Sequence, residues 1–229
     1  LDAKAVRSIG FPLSAALVER ELRIAQGTVV GCNHALEHGI AFNIAGGTHH
    51  AFSDRGEAFC LLNDQAIAAQ YLINQKKCHK ILIVDLDVHQ GNGTAEIFQN
   101  NADVITFSMH GQSNYPFRKE TSDYDIALPD KTDDTTYLSI LQETLPELLN
   151  IHRPDFVFYL AGVDILGTDK LGKLGCTLEG CKTRDSYVLG LCKSLGIPVQ
   201  VSMGGGYSPA IKTIIEAHAN TYRVARALY

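Results

Sequence analysis

Apolar residues fall along the chain in two alternating patterns. Short, nearly continuous runs occupy 40–44, 81–84, 104–109, 156–160 and 198–203; each reads as a strand, and 81–84 as one buried on both faces of a parallel sheet. The central strand is expected to run over 80–88. Between the runs, apolar positions recur at helical spacing. Ala15, Leu17, Val18, Leu22, Ile24 and Ala25 do so within 12–38, where a second helical stretch is expected after Gly27. Asn63 caps a helix ending near Lys77, 94–99 makes a short helix, and 135–151, 178–195 and 208–228 make longer ones. Strands that alternate with helices predict the α/β class, a parallel sheet with helices on both faces. Residues 110–135, with Pro116 and Pro129, carry few periodic features and read as the longest loop, a natural place for substrate selection. No repeat, linker or low-complexity segment interrupts the chain, so 1–229 is expected to form a single domain.

The polar residues that interrupt this pattern cluster just after strands. Asp85, Asp87 and His89 follow one another at alternate positions, so they project to one side if the chain stays extended that far. His49 and His50 follow 40–44, Ser108 ends 104–109, Asp164 follows 156–160, and Tyr207 follows 198–203. If the strands are parallel and neighbouring, all these ends lie along one edge of the sheet, where open α/β sheets bind ligands.

Composition narrows the function classes. With 45% hydrophobic residues the chain can build a substantial core, and a formal charge of −5 offers no basic field for direct nucleic acid binding. No apolar run approaches the ~20 residues of a membrane span, and no basic-then-apolar leader is present. The chain opens with Leu1, so a piece upstream can be absent. Six cysteines lie scattered without a Cys-x-x-Cys, which fits reduced structural thiols and a cytoplasmic location. Cys176 and Cys181 lack the second pair that a structural zinc site needs.

Asp87, His89 and Asp164 offer two hard oxygens and a nitrogen. Three protein ligands with an open position suit a catalytic Zn²⁺, and an O/N/O set also suits Fe²⁺. The adjacent His49 and His50 invite a divided role, one charged and one neutral. Asp85 and Asn92 remain to hydrogen-bond their far ring nitrogens. Tyr207, after three glycines, can swing its hydroxyl into the site, and Phe59 could line an apolar tunnel. Singly, each has a plainer reading: a capping Asp, solvated loop histidines, a half-buried Tyr, a core Phe.

Together these residues resemble the zinc-dependent histone deacetylase family. The likeness is spread over nearly the whole chain: Gly46-Gly47-Thr48-His49-His50, Phe59-Cys60, Asp85-Leu86-Asp87-Val88-His89-Gln90-Gly91-Asn92-Gly93, Ala161-Gly162-Val163-Asp164-Ile165-Leu166 with Asp169-Lys170-Leu171-Gly172, and Gly204-Gly205-Gly206-Tyr207. Gln90, where many members have a second His, and the Asp169 stretch are similar to the class IV branch and its bacterial relatives. The resemblance implies the arginase/deacetylase fold, with a parallel sheet of about eight strands flanked by helices. It implies Asp87, His89 and Asp164 as zinc ligands, and His49 and His50 as the catalytic pair backed by Asp85 and Asn92. Tyr207 would stabilise the oxyanion, Phe59 would form a wall of the acyl tunnel, and Gly205 would also lie against the substrate. A structural K⁺ would be held near Asp85 and Ser108.

The implied reaction is hydrolysis of an acyl group from lysine in a protein or from a small acylated amine. A non-catalytic acyl-lysine binding module on the same fold is the rival expectation. It should lose a zinc ligand, His50 or Tyr207, and none is lost. An arginase-like binuclear manganese site would need further ligands in place of Asn92 and Val88. Three departures stand out. Asn92 replaces the acid that many members place behind the second His, Ala58 stands where most have Gly, and the family's first strand is expected to lie upstream of Leu1. Oligomeric state and acyl length leave no mark in the sequence.

Overall fold

Six strands pair in parallel: β1 (Ile40–Asn43), β2 (Ile81–Asp85), β3 (Val104–Gly111), β4 (Tyr124–Leu128), β5 (Phe156–Leu160) and β6 (Val199–Ser202). Their order across the sheet is β1-β6-β5-β2-β3-β4. The computed structural model describes residues 1–229, and seven helices accompany the strands: α1 (Ala3–Ile9), α2 (Ala15–His38), α3 (Asp64–Asn74), α4 (Asn92–Phe98), α5 (Asp134–His152), α6 (Leu178–Leu195) and α7 (Ile211–Leu228).

The alternation of side chains along β2 divides the core in two. Leu82 and Val84 join a cluster of 30 buried residues under α5, α6 and α7. Ile81 and Ile83 join a cluster of 13 under α2, α3 and α4. Strands covered on both faces have no polar side, which is why 81–84 and 156–160 read as unbroken apolar runs. Helix ends follow local chemistry. Ser14, Asn63, Asp133 and Thr177 each accept a backbone N–H in the first turn of α2, α3, α5 and α6.

The architecture is the expected α/β layering, with corrections in detail. The sheet has six strands rather than eight: α1 and α2 alone precede β1, which forms one edge of the sheet. Gly27 does not divide α2, which runs unbroken to His38. A Cβ on Gly27 would stand 3.1 Å from the Asn43 amide, so this glycine serves close packing against β1. The segment 110–135 is not all loop. Tyr124–Leu128 pairs with β3 as the other edge strand, and its alternate residues face solvent. β2 ends at Asp85 rather than continuing to 88. The Asp87 carboxylate accepts the His89 N–H at 2.9 Å and folds the chain over, so Asp87 and His89 reach the same place through a turn.

Candidate active site

A cavity of about 650 Å³ opens at the carboxyl edge of the sheet, and every strand-end cluster except Asp85, Asn92 and Ser108 lines it directly. On its floor Asp87, His89 and Asp164 bring their ligand atoms within 4.8 Å of one another. Backbone N–H groups hold one oxygen of each carboxylate: Gly205 N donates to Asp87 Oδ2 at 2.8 Å, and Val88 N donates to Asp164 Oδ1 at 2.9 Å. The other oxygens converge on His89 Nδ1, Asp87 Oδ1 at 3.0 Å and Asp164 Oδ2 at 3.3 Å. Asp164 Oδ2 is buried and has no hydrogen bond. A Cβ on Gly162 would come within 2.5 Å of Asp87 Oδ2, and one on Gly205 within 2.3 Å of Asp164 Oδ2, so bare backbone has to cradle this pair.

Charge in this cluster calls for a cation. Burial and the neighbouring Asp87 push the Asp164 pKa up to about 7. Burial also opposes a charge on His89, yet the Asp164 and Asp87 carboxylates beside its Nδ1 prevail and push its pKa up to about 10. Two carboxylates thus draw positive charge to a point where a dehydrated oxygen stands without a donor. This O/N/O set fits a zinc-sized divalent ion. A second group, His34, Glu37 and His38, is exposed near the end of α2 and does not line the cavity.

The two histidines rest on different partners. His49 Nδ1 lies 2.7 Å from Asp85 Oδ2, and His50 Nδ1 lies 2.6 Å from Asn92 Oδ1. An amide oxygen only accepts, so His50 Nδ1 carries the proton and Nε2 is left as the basic nitrogen. Burial works against a charged His49, but Asp85 outweighs it and pushes the pKa up to about 9. Burial and the charge on His49 hold His50 well below its ordinary value. Burial raises the Asp85 pKa as well; the 2.7 Å contact keeps the pair as carboxylate and imidazolium.

Tyr207 follows Gly204, whose φ of +67° turns the chain into the cavity, and the Tyr207 ring is half-exposed there. Burial, then Asp87 and Asp164, raise its pKa, so the hydroxyl keeps its proton. Phe59 is half-exposed at the mouth and packs on Phe11 with ring centroids 5.2 Å apart. Ala58 and Phe59 both have positive φ, +44° and +67°, a conformation that explains why a glycine would suit position 58. Their N–H groups bond Ser8 and Ile9 carbonyls at 2.9 and 2.7 Å, so α1 holds this loop. Ser108 lies opposite Asp85 in the ladder, with its hydroxyl 3.0 Å from His110 Nδ1.

A histone deacetylase domain model matches residues 4–222, nearly the whole chain. The chain belongs to the histone deacetylase family. An uncharacterized protein of Picosynechococcus sp. is 48% identical over 229 residues, which are all of this chain and 76% of that protein. Histone deacetylase 2 of Arabidopsis thaliana is 31% identical over 192 residues, 82% of this chain and 50% of the plant protein. The chain therefore spans half the length of that deacetylase. Among solved structures, an acetylpolyamine aminohydrolase from Burkholderia pseudomallei superposes with a TM-score of 0.74 at 26% identity, covering 89% of this chain and 61% of that one.

Within this histone deacetylase family chain, the contacts of three side chains are not legible in the sequence. Asp64, buried at the start of α3, accepts the N–H groups of Gly47 and Thr48 at 2.9 Å each and the Thr48 hydroxyl at 2.8 Å, so it fixes the loop leading into His49. Tyr115 sets its ring edge-on to His50 at 5.0 Å, and its hydroxyl bonds Glu57. Gln90, fully buried, ties the Asp87–His89 turn to Glu120 and Asp125 and so anchors the start of β4 and the segment before it. Of the three, only Gln90 had a sequence signal, as the residue replacing a second His.

Proposed function

We propose that this chain is a zinc-dependent amide hydrolase that removes acyl groups from the side-chain amine of lysine or a related amine. The observation that carries this reading is the buried Asp87–His89–Asp164 set beside a charged and a neutral histidine on the floor of one cavity. Asp87, His89 and Asp164 would hold the metal. Zinc held there would polarise the acyl carbonyl and make a nearby water more acidic. His50, neutral and with Nε2 free, takes a proton from the attacking water as its oxygen bonds to the acyl carbon. As the C–N bond breaks, the departing amine receives a proton from the histidine pair. Tyr207 donates a hydrogen bond to the oxygen on which charge develops, and removing such a donor costs about 10²- to 10³-fold in rate. Phe59 and Gly205 line the acyl channel. Asp85 and Ser108, adjacent in the ladder, would help hold a potassium ion; their oxygens already have partners but keep lone pairs free.

Membership of a deacetylase family favours an acylated lysine, and the likeness to an acetylpolyamine aminohydrolase keeps small acylated amines in view. No helix is long and apolar enough to cross a membrane. Purified protein should be assayed against acetyl-lysine peptides, longer acyl-lysine peptides and acetylpolyamines, with metal content measured in parallel. The expected result is amine release from at least one of them by zinc- or iron-bearing protein. Asp164→Ala should lose both metal and activity, and Tyr207→Phe should lose rate while keeping the metal. Stable binding of acyl-lysine without any turnover would favour the binding-module alternative.

A further inference from the structure

Beneath the metal ligands lies a buried charge that the reaction scheme does not use. Arg184 and its neighbour Asp185, on α6, are both fully buried. A guanidinium out of water is costly unless its donors are satisfied; here two of its three nitrogens donate hydrogen bonds and the third has only a charge contact. Nε donates to Asp185 Oδ1 at 2.9 Å, and a second nitrogen lies 2.8 Å from the same oxygen. The remaining nitrogen donates to two backbone carbonyls, Gly162 O at 2.6 Å and Leu86 O at 3.3 Å. Leu86 immediately precedes Asp87, and Gly162 stands two residues before Asp164.

These carbonyls lie where the sheet gives out. β2 and β5 are paired as far as Asp85 and Leu160, and Leu86 N still bonds Leu160 O at 3.1 Å. Beyond that rung, the segments bearing the two carboxylates leave the ladder. One guanidinium nitrogen bridges them at that point. Asp185 fixes Arg184 in turn: it accepts the Tyr159 hydroxyl of β5 at 2.5 Å and the Thr221 hydroxyl of α7 at 2.7 Å. The clamp is therefore anchored to the same strand whose end carries Asp164.

We propose that Arg184 is a positioning residue for the metal centre. By joining Leu86 O to Gly162 O it sets the separation of Asp87 from Asp164, and with it metal affinity and the geometry of the open coordination position, without touching substrate. The inference rests on the reading that Asp87, His89 and Asp164 bind a divalent ion.

The test compares the parent protein with Arg184→Lys, Asp185→Asn and Thr221→Val. Zinc affinity is measured by chelator competition, the ligand field by the absorption spectrum of the cobalt-loaded proteins, and fold by circular dichroism and melting of the metal-free forms. Lysine keeps the charge but cannot span both carbonyls and Asp185. Arg184→Lys should weaken zinc binding by about 10- to 100-fold, as loss of outer partners of a metal site does. It should also shift the cobalt spectrum and lower kcat with little change in KM. Thr221→Val removes one of the two hydroxyls that hold Asp185 and should show the smallest loss of the same kind. If Arg184→Lys does not fold, Asp185→Asn, which leaves the guanidinium in place but poorly oriented, should show a smaller loss of the same kind. Parent-like zinc affinity and cobalt spectrum in the folded variant, with only the melting temperature changed, would overturn the proposal. A parent protein that binds neither zinc nor cobalt would overturn the metal reading itself, a different outcome.

Discussion

His49 and His50 stand side by side, with ring centroids 4.1 Å apart, but each leans on a different kind of partner. Both rings are buried, and both offer Nε2 to the cavity because Nδ1 is engaged behind. Behind His49 is the Asp85 carboxylate; behind His50 is the Asn92 amide. Burial alone would make both rings neutral. A full negative charge at 2.7 Å reverses that for His49, and a neutral dipole at 2.6 Å does not for His50. The charged His49 then suppresses charge on His50 further, since two imidazoliums this close repel. One atom type in each partner, oxygen for nitrogen, separates a base from a cation.

Several substitutions probe this division. The largest effect is expected from His50→Ala: loss of a general base typically costs about 10²- to 10⁴-fold in kcat. His49→Ala should cost less, because it removes a supporting charge rather than the proton acceptor; steady-state rates of the two variants check the order. Asp85→Asn should make His49 resemble His50, lowering its pKa and relieving the repulsion on His50, with a smaller loss of rate than either alanine change. Smallest of all should be the exchange of potassium for sodium, read as a change in rate or melting temperature through Asp85. Complete indifference to both ions would remove the proposed monovalent site.

Much of this site was legible because its chemistry sits where local pattern points. Asp87, His89 and Asp164 follow strands recognisable as apolar runs, and a parallel sheet carries strand ends to one edge. The unread parts act across distances that periodicity does not see. Arg184 contacts a carbonyl 98 residues away, and in sequence it is one more charge on an amphipathic helix. Asp64 sits one residue after a readable cap, Asn63, yet its own work is to hold a loop 16 residues back. β4 is hard to see among prolines and charges because an edge strand alternates and makes no continuous apolar run, although the Tyr-Asp-Ile-Ala-Leu pattern carries the period of two. The left-handed turn at Ala58 and Phe59 depends on the Ser8 and Ile9 carbonyls at the end of α1, a contact across some fifty residues that no local pattern marks.

The most direct test of the proposed division is the pH dependence of kcat/KM in the parent protein and in Asn92→Asp. A general base acts only when neutral, so the acid limb of the profile follows the pKa of His50. Replacing the amide with a carboxylate places behind His50 what Asp85 places behind His49, and a neighbouring negative charge raises a histidine pKa. The acid limb should therefore move to higher pH in Asn92→Asp. An acid limb that stays where it is in the parent would contradict the assignment of His50 as the base.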